Sequence, residues 1–199
     1  MLLMGQMWRD AMQWVRYTTW AAAMAVLTAV PARADGFITP YIGFNFGGDS
    51  ANCASLRNCD EKRTNWGVTF GSTNGIFGIQ EDIGYAPEFF GKTPGGENGV
   101  LHLMTDFMIV LPAGPIQPYA FAGLGLIHPH AKLDSSSLSL DKNSLGHDLG
   151  GGVNIFFTHA VGLHGEIRHL RTFEDVDLGV FSNDKLDFWR GSAGLTFRF

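Results

Sequence analysis

Beyond residue 34 the apolar residues of this chain recur at every second position, and no stretch carries the three-to-four-residue spacing of an amphipathic helix. A period of two puts successive side chains on opposite faces of an extended strand. "ITPYIGFNFG" (38–47) sets Ile38, Ile42, Phe44 and Phe46 against Thr39, Tyr41 and Asn45. "TNWGVTFGS" (64–72) sets Trp66, Val68 and Phe70 against Asn65, Gly67 and Thr69. The alternation continues in "IFGIQEDIGYA" (76–86), "VLHLMTDFMIVL" (100–111), "SLGHDLGGGVNIFF" (144–157), "AVGLHGEIRHL" (160–170) and "DFWRGSAGLTFRF" (187–199). "IQPYAFAGLGLIH" (116–128) is small or apolar on both faces, so its orientation stays open. These eight strands have roughly 9–13 residues, against ~5–6 in soluble sheets and ~9–11 in strands that cross a bilayer.

The connections alternate in length. Short ones lie at "TNG" (73–75), "PAGPI" (112–116) and "TH" (158–159). Long polar ones cover 48–63, 87–98, 129–143 and 171–186. Short turns at one end and long loops at the other are the pattern of an outer-membrane barrel, with the short turns on the periplasmic side. Lipid tolerates no open sheet edge, so the strands must close on themselves. The fold class expected is all-β: an eight-stranded antiparallel transmembrane β-barrel.

The first 34 residues are different. Arg9 and Arg16 precede an uncharged, mostly apolar run from Tyr17 to Val30, then Pro31 and the triplet Ala32-Arg33-Ala34. That is the anatomy of a helical signal peptide cleaved after Ala34. The alternative is an uncleaved amphipathic anchor. The division expected is a signal peptide at 1–34 and a barrel domain at 35–199. Export also suits the cysteines. Cys53 and Cys59 sit in one polar stretch, "GDSANCASLRNCDEKR", and pair in an oxidising compartment. Two thiols without further ligands do not make a metal site.

The polar faces hold Asn, charged residues and many of the 26 glycines. Solvated surface would explain the polarity, but the glycine suits a narrow, crowded lumen better. The aromatics Trp66, Tyr85, Trp189, Phe197 and Phe199 fall near strand ends, as membrane girdles do. An inverted barrel results, with apolar residues against lipid and polar ones filling the lumen. Asp82, Asp106, Asp148, Glu166, Arg168, Arg190 and Arg198 become lumen charges that pair with one another, Arg198 with Glu166 or Asp82. Glu81 breaks the pattern, because alternation points it at lipid; a bulge or a place near the interface would resolve it. Phe89 and Phe90 in "PEFF" are expected to dip into the membrane interface; contact with a partner is the alternative.

The chain's last residues fit a further pattern: Ser192-x-Gly194-x-x-Phe197-x-Phe199, a polar residue, a glycine and two aromatics, the second at the end. With "PYIGFNFG", "GYAPEFFG" and "QPYAFAGLGLI", it makes residues 37–199 resemble the small outer-membrane β-barrel proteins of the OmpA/OmpX-like, porin-family class. The resemblance implies a cell outer membrane location in a Gram-negative-type bacterium. It also implies that Ser192, Gly194, Phe197 and Phe199 are an assembly signal read by the barrel-assembly machinery. No peptidoglycan-binding domain follows, so a wall-anchoring role is not expected. The partners expected are outer-membrane lipids and lipopolysaccharide, and the state a monomer.

Little here is chemistry. A net charge of −5 with no basic cluster excludes a nucleic-acid footprint. Lipid A-modifying barrels need a Ser nucleophile, a His base and a carboxylate. This chain has no H-x-S, and in "SLGHDLG" His147 and Asp148 face opposite ways. "HPH" (128–130) is at most half a metal site, and the glycine clusters lack the Lys and helix of a phosphate loop. No catalytic, cofactor or metal residues are assigned. The role expected is structural or surface-interacting: envelope integrity and loop-mediated contacts. A narrow channel for small solutes, a lipid A-modifying enzyme and a soluble lipocalin-like binder are the alternatives.

Overall fold

The structure is a computed structural model that describes residues 35–48, 63–89, 96–133, 139–141, 143–174, 176–177 and 183–199. The proposed signal peptide, Cys53, Cys59 and Phe90 lie outside the described residues. The main strands are β1 (Asp35–Phe46), β2 (Thr64–Asn74), β3 (Phe77–Pro87), β4 (Gly96–Val110), β5 (Ile116–Leu133), β6 (Ser144–Phe156), β7 (Val161–Thr172) and β8 (Asp187–Arg198). Each pairs antiparallel with its neighbours, and β1 pairs with β8 to close an eight-stranded barrel. The closing seam runs from Phe37 opposite Arg198 to Phe46 opposite Trp189. At its end Gly36 and Phe199 exchange two backbone hydrogen bonds of 2.9 Å.

The register sets the barrel's width. From Gly36, the partners passed in one turn of the ring are Ser72, Ile79, Phe107, Ala122, Leu149, His169, Trp189 and Phe46. The path returns to β1 ten residues further on, at Phe46. A stagger of ten over eight strands tilts them about 40° and puts the backbone about 8 Å from the axis. Such a lumen has room for side chains and little else.

Alternation decides what fills it. Thr39, Tyr41 and Asn45 point inward and are buried, whereas Ile42 and Phe44 are exposed on the outside. β5, ambiguous in the sequence, turns Tyr119, Phe121 and Ile127 inward and Leu124 and Leu126 outward. Its bulkier aromatics go where neighbouring glycines leave space: a methyl on Gly150 would strike the Phe121 ring, and one on Gly152 the Tyr119 ring. Strand ends agree with the sequence to within a residue or a few. The largest difference is at β4 and β5, which continue to Gly96 and Leu133 because they pair beyond the rest of the wall. Ser139–Asp141 adds to that extension by pairing with His130–Lys132.

The inward glycines 67 and 84 clear the space that the Tyr41 ring occupies, so a side chain at either would meet its hydroxyl. Gly165, by contrast, faces open space. Gly84→Val should therefore destabilise the barrel by about 1–3 kcal/mol, while Gly165→Ala stays within ~0.5 kcal/mol. Urea unfolding in detergent micelles measures both.

Candidate functional site

Half-way along the lumen the strands bring their polar residues together in one layer. Arg168 of β7 and Arg190 of β8 are its centre, 0% and 1% exposed. Arg168 donates from Nε to Glu166 Oε1 (2.9 Å), from Nη1 to Asp106 Oδ2 (2.8 Å), and from Nη1 to Asp148 Oδ2. Arg190 donates from Nη1 to Asp82 Oδ2 (2.8 Å) and the Tyr41 hydroxyl (2.6 Å), and from Nη2 to Glu166 Oε1 (2.9 Å). Each guanidinium also lies over an aromatic ring, Arg168 at 4.1 Å from the Phe121 centroid and Arg190 at 4.5 Å from that of Tyr41.

The carboxylates are held from the other strands as well. Asp82 accepts from Thr69 Oγ1 (3.0 Å) and lies 2.8 Å from His102 Nε2. Asp106 accepts from Gln80 Nε2 (2.8 Å), and Glu166 from the Tyr119 hydroxyl (2.9 Å). Every one of the eight strands thus supplies a member: Tyr41, Thr69, Asp82, Asp106, Tyr119, Asp148, Arg168 and Arg190, in chain order. Arg168 Nη2, Arg190 Nε, Asp106 Oδ1 and Asp148 Oδ1 have no hydrogen-bond partner among the described residues. Buried water is the ordinary partner of such groups.

The layer is not the whole filling, and here the expectation of a polar lumen is corrected. Towards the long loops it is covered by Ala86, Phe89, Val100, Met104, Ile127, Leu170, Leu186 and Phe188. Phe89 belongs to this cap, edge-on to Phe188 at 4.7 Å, and not to the membrane interface. Towards the short turns lie Met108, Val110, Tyr119 and Phe121, with Phe37 against them. The inward positions of β4 read Val100, His102, Met104, Asp106, Met108 and Val110, so apolar and polar residues alternate by depth on one face. A period of two cannot reveal that second alternation.

Arg198 is the second correction. It meets neither Glu166 nor Asp82, because both are already bound by Arg190 and Arg198 lies eight residues further along β8. It donates instead from Nη2 to Gln117 Oε1 (2.6 Å) at the short-turn mouth, over the Phe156 ring at 3.9 Å. Beside it Asn154 Oδ1 accepts from Thr196 Oγ1 (3.1 Å), and His164 Nδ1 lies 2.9 Å from the same oxygen. His147 faces outward against Phe173, apart from inward Asp148. His128 Nδ1 sits 2.8 Å from Asn143 Oδ1. Among the described residues no three His, Cys, Asp or Glu side chains are grouped to hold a metal ion.

Outside, aromatic residues ring both ends. Trp66 meets Tyr85 at 5.9 Å, and Trp189 lies between Phe46 and His169 towards the long loops. Phe77 meets Phe107 nearer the short turns, where Phe197 and Phe199 also stand exposed. A sequence profile described as "Outer membrane protein beta-barrel domain" matches residues 19–199. The chain belongs to the outer membrane protein beta-barrel domain family. This family member is therefore an outer-membrane protein that crosses the bilayer with its strands. None of the curated proteins compared matches it in sequence.

Among solved structures the barrel is similar to Neisserial surface protein A, at 18% identity and a TM-score of 0.60, covering 83% of this chain and 97% of that one. The N-terminal β-barrel domain of Pseudomonas aeruginosa OprF gives 14% identity and 0.56, covering 83% and 97%. Ail, the attachment invasion locus protein of Yersinia pestis, gives 10% and 0.51, covering 82% and 98%. At these identities the likeness is one of fold.

The layer's energetics lead to an expected result. Arg168→Ala would leave Asp106, Asp148 and Glu166 buried and short of a counter-charge, costing about 3–5 kcal/mol in micellar urea unfolding. Arg198→Ala, at the mouth, should cost no more than ~1 kcal/mol.

Proposed function

We propose that this outer-membrane barrel is a non-enzymatic structural and surface-interaction protein, acting through envelope integrity and contacts made by its long loops, with a lumen that does not conduct. The observation that carries this reading is the sealed filling: an ionic layer bonded to all eight strands, capped by apolar side chains on both sides. An ion path would need polar, mobile side chains along its length, and Phe89, Phe188, Leu170 and Met104 supply neither. The seven charges named in the sequence then serve barrel shape and not transport. Names such as surface protein and attachment invasion locus protein describe two proteins of this fold. For this chain the surface role rests on the long loops and the closed interior.

Residues 1–34 are the export signal, cleaved after Ala34, and Cys53 and Cys59 pair in a surface loop. Lipopolysaccharide and other outer-membrane lipids surround the wall, with the short turns in the periplasm. Ser192, Gly194, Phe197 and Phe199 are read by the barrel-assembly machinery. Phe199 suits that role physically, since it is 82% exposed and directly follows the strand that closes the seam, bonded to Gly36. Deleting Phe199 should lower outer-membrane levels of the protein; unchanged levels by fractionation would count against the signal. Planar-bilayer recording of the purified barrel should show no stepwise conductance, and regular unitary steps would favour the narrow-channel reading instead.

A further inference from the structure

Glu81 is a carboxylate on the outward, otherwise apolar row of β3. No bulge relieves it: the β2–β3 ladder is unbroken from Trp66 opposite Tyr85 to Asn74 opposite Phe77. Nor does it sit near an interface. On the outside of β3 the order is Phe77, Ile79, Glu81, Ile83 and Tyr85, so the carboxyl is the middle of five. The outward row of β4 is Ile109, Phe107, Thr105, Leu103 and Leu101, with Thr105 in the middle. The register places Glu81 opposite Thr105, and Thr105 Oγ1 donates to Glu81 Oε2 at 2.8 Å. Phe70, opposite Glu81 on β2, completes the surroundings with Ile79, Ile83 and Phe107.

That hydrogen bond uses one carboxyl oxygen. Glu81 Oε1 has no partner among the described residues, and its neighbours outward are hydrocarbon side chains. In the middle of a bilayer no water or headgroup reaches it, and an unmet polar group there is costly. An ionisable residue kept at such a depth marks a contact. The pair also has the chemistry to meet itself. The carboxyl offers an acceptor and, when protonated, a donor; the Thr105 hydroxyl still has acceptor capacity. A two-fold axis along the membrane normal brings equal depths of two copies together. Glu81 of one copy then faces Glu81 and Thr105 of the other, and each contact is made twice.

We propose that the outer face of β2–β4 centred on Glu81 and Thr105 is a dimer seam, at which a second copy of this chain supplies the missing hydrogen bonds inside the membrane. Phe70, Phe107, Ile79 and Ile83 form the apolar surround that packs when the two faces meet. This goes beyond the structural role above and does not depend on the state of the lumen. It also departs from the monomer expected from sequence.

The test places the photo-crosslinker p-benzoylphenylalanine at Phe70 in the full chain, expressed in its outer membrane. Irradiation should give a band at twice the protein's mass, and the same crosslinker at Leu163, on the opposite wall, should not. Glu81→Leu should reduce the Phe70 band about tenfold, and Glu81→Gln, which keeps both hydrogen-bonding functions, should retain most of it. Glu81→Leu is compatible with a lipid-facing wall, and heat-modifiable migration confirms that each variant is folded. A doubled-mass band unaffected by Glu81→Leu, crosslinks only to other proteins, or no crosslink at either position would overturn the proposal.

Discussion

Among the described residues, Arg168 and Arg190 are the cations of a layer that also buries Asp82, Asp106, Asp148 and Glu166, and the barrel's interior depends on that pairing. A ring of eight strands with a stagger of ten is too narrow to hydrate separate charges, so each must be met by a side chain from another strand. Meeting them ties every strand to its neighbours across the lumen as well as along the ladders. Such a layer is not a source of large net stability, because desolvating the charges offsets much of what their attraction contributes. Its value is specificity. A strand slipped by one residue would turn its polar member into lipid and strand a buried counter-charge.

The two apolar caps follow from the same constraint. A carboxylate and guanidinium in water-filled space are weakly coupled; enclosed by Phe89, Phe188 and Leu170 on one side and Phe121 and Met108 on the other, they are not. Inward glycines make this packing possible. Tyr41, Tyr119 and Phe121 each occupy space that a side chain on a glycine of an adjacent strand would fill. The high glycine content is thus paired with the aromatic residues in the lumen, and together they give the barrel a dense interior. The outer face obeys a simpler rule, apolar residues with aromatic belts, and departs from it at Glu81 and Thr105.

Most of the wall was legible because the bilayer and the lumen impose opposite preferences on alternate residues. Thr39, Tyr41, Asp82, Asp106, Glu166 and Arg190 declare their side by polarity, and the strands follow. The failures have equally definite causes. β5 is small or apolar on both faces, so only the sizes of its neighbours decide that Tyr119 points inward. Alternation gives the face of a residue but not its depth, so the apolar caps on the lumen face and the mid-depth position of Glu81 were hidden. Charge alone pairs Arg198 with Glu166 or Asp82, whereas the register puts it at the mouth beside Gln117. Phe89 lies past the last alternating residue, where periodicity gives no side, and it turns inward over the lumen against Phe188, not into the membrane interface.

A double-mutant cycle on Arg168 and Asp106 tests the central claim most directly. Unfolding free energies would be measured in micelles for Arg168→Met, Asp106→Asn and the pair. If the layer is one bonded unit, the two changes are coupled, with the double variant departing from additivity by roughly 1–3 kcal/mol. Additivity within ~0.5 kcal/mol would mean that the two side chains act independently, and the account of a strand-linking ionic layer would be wrong.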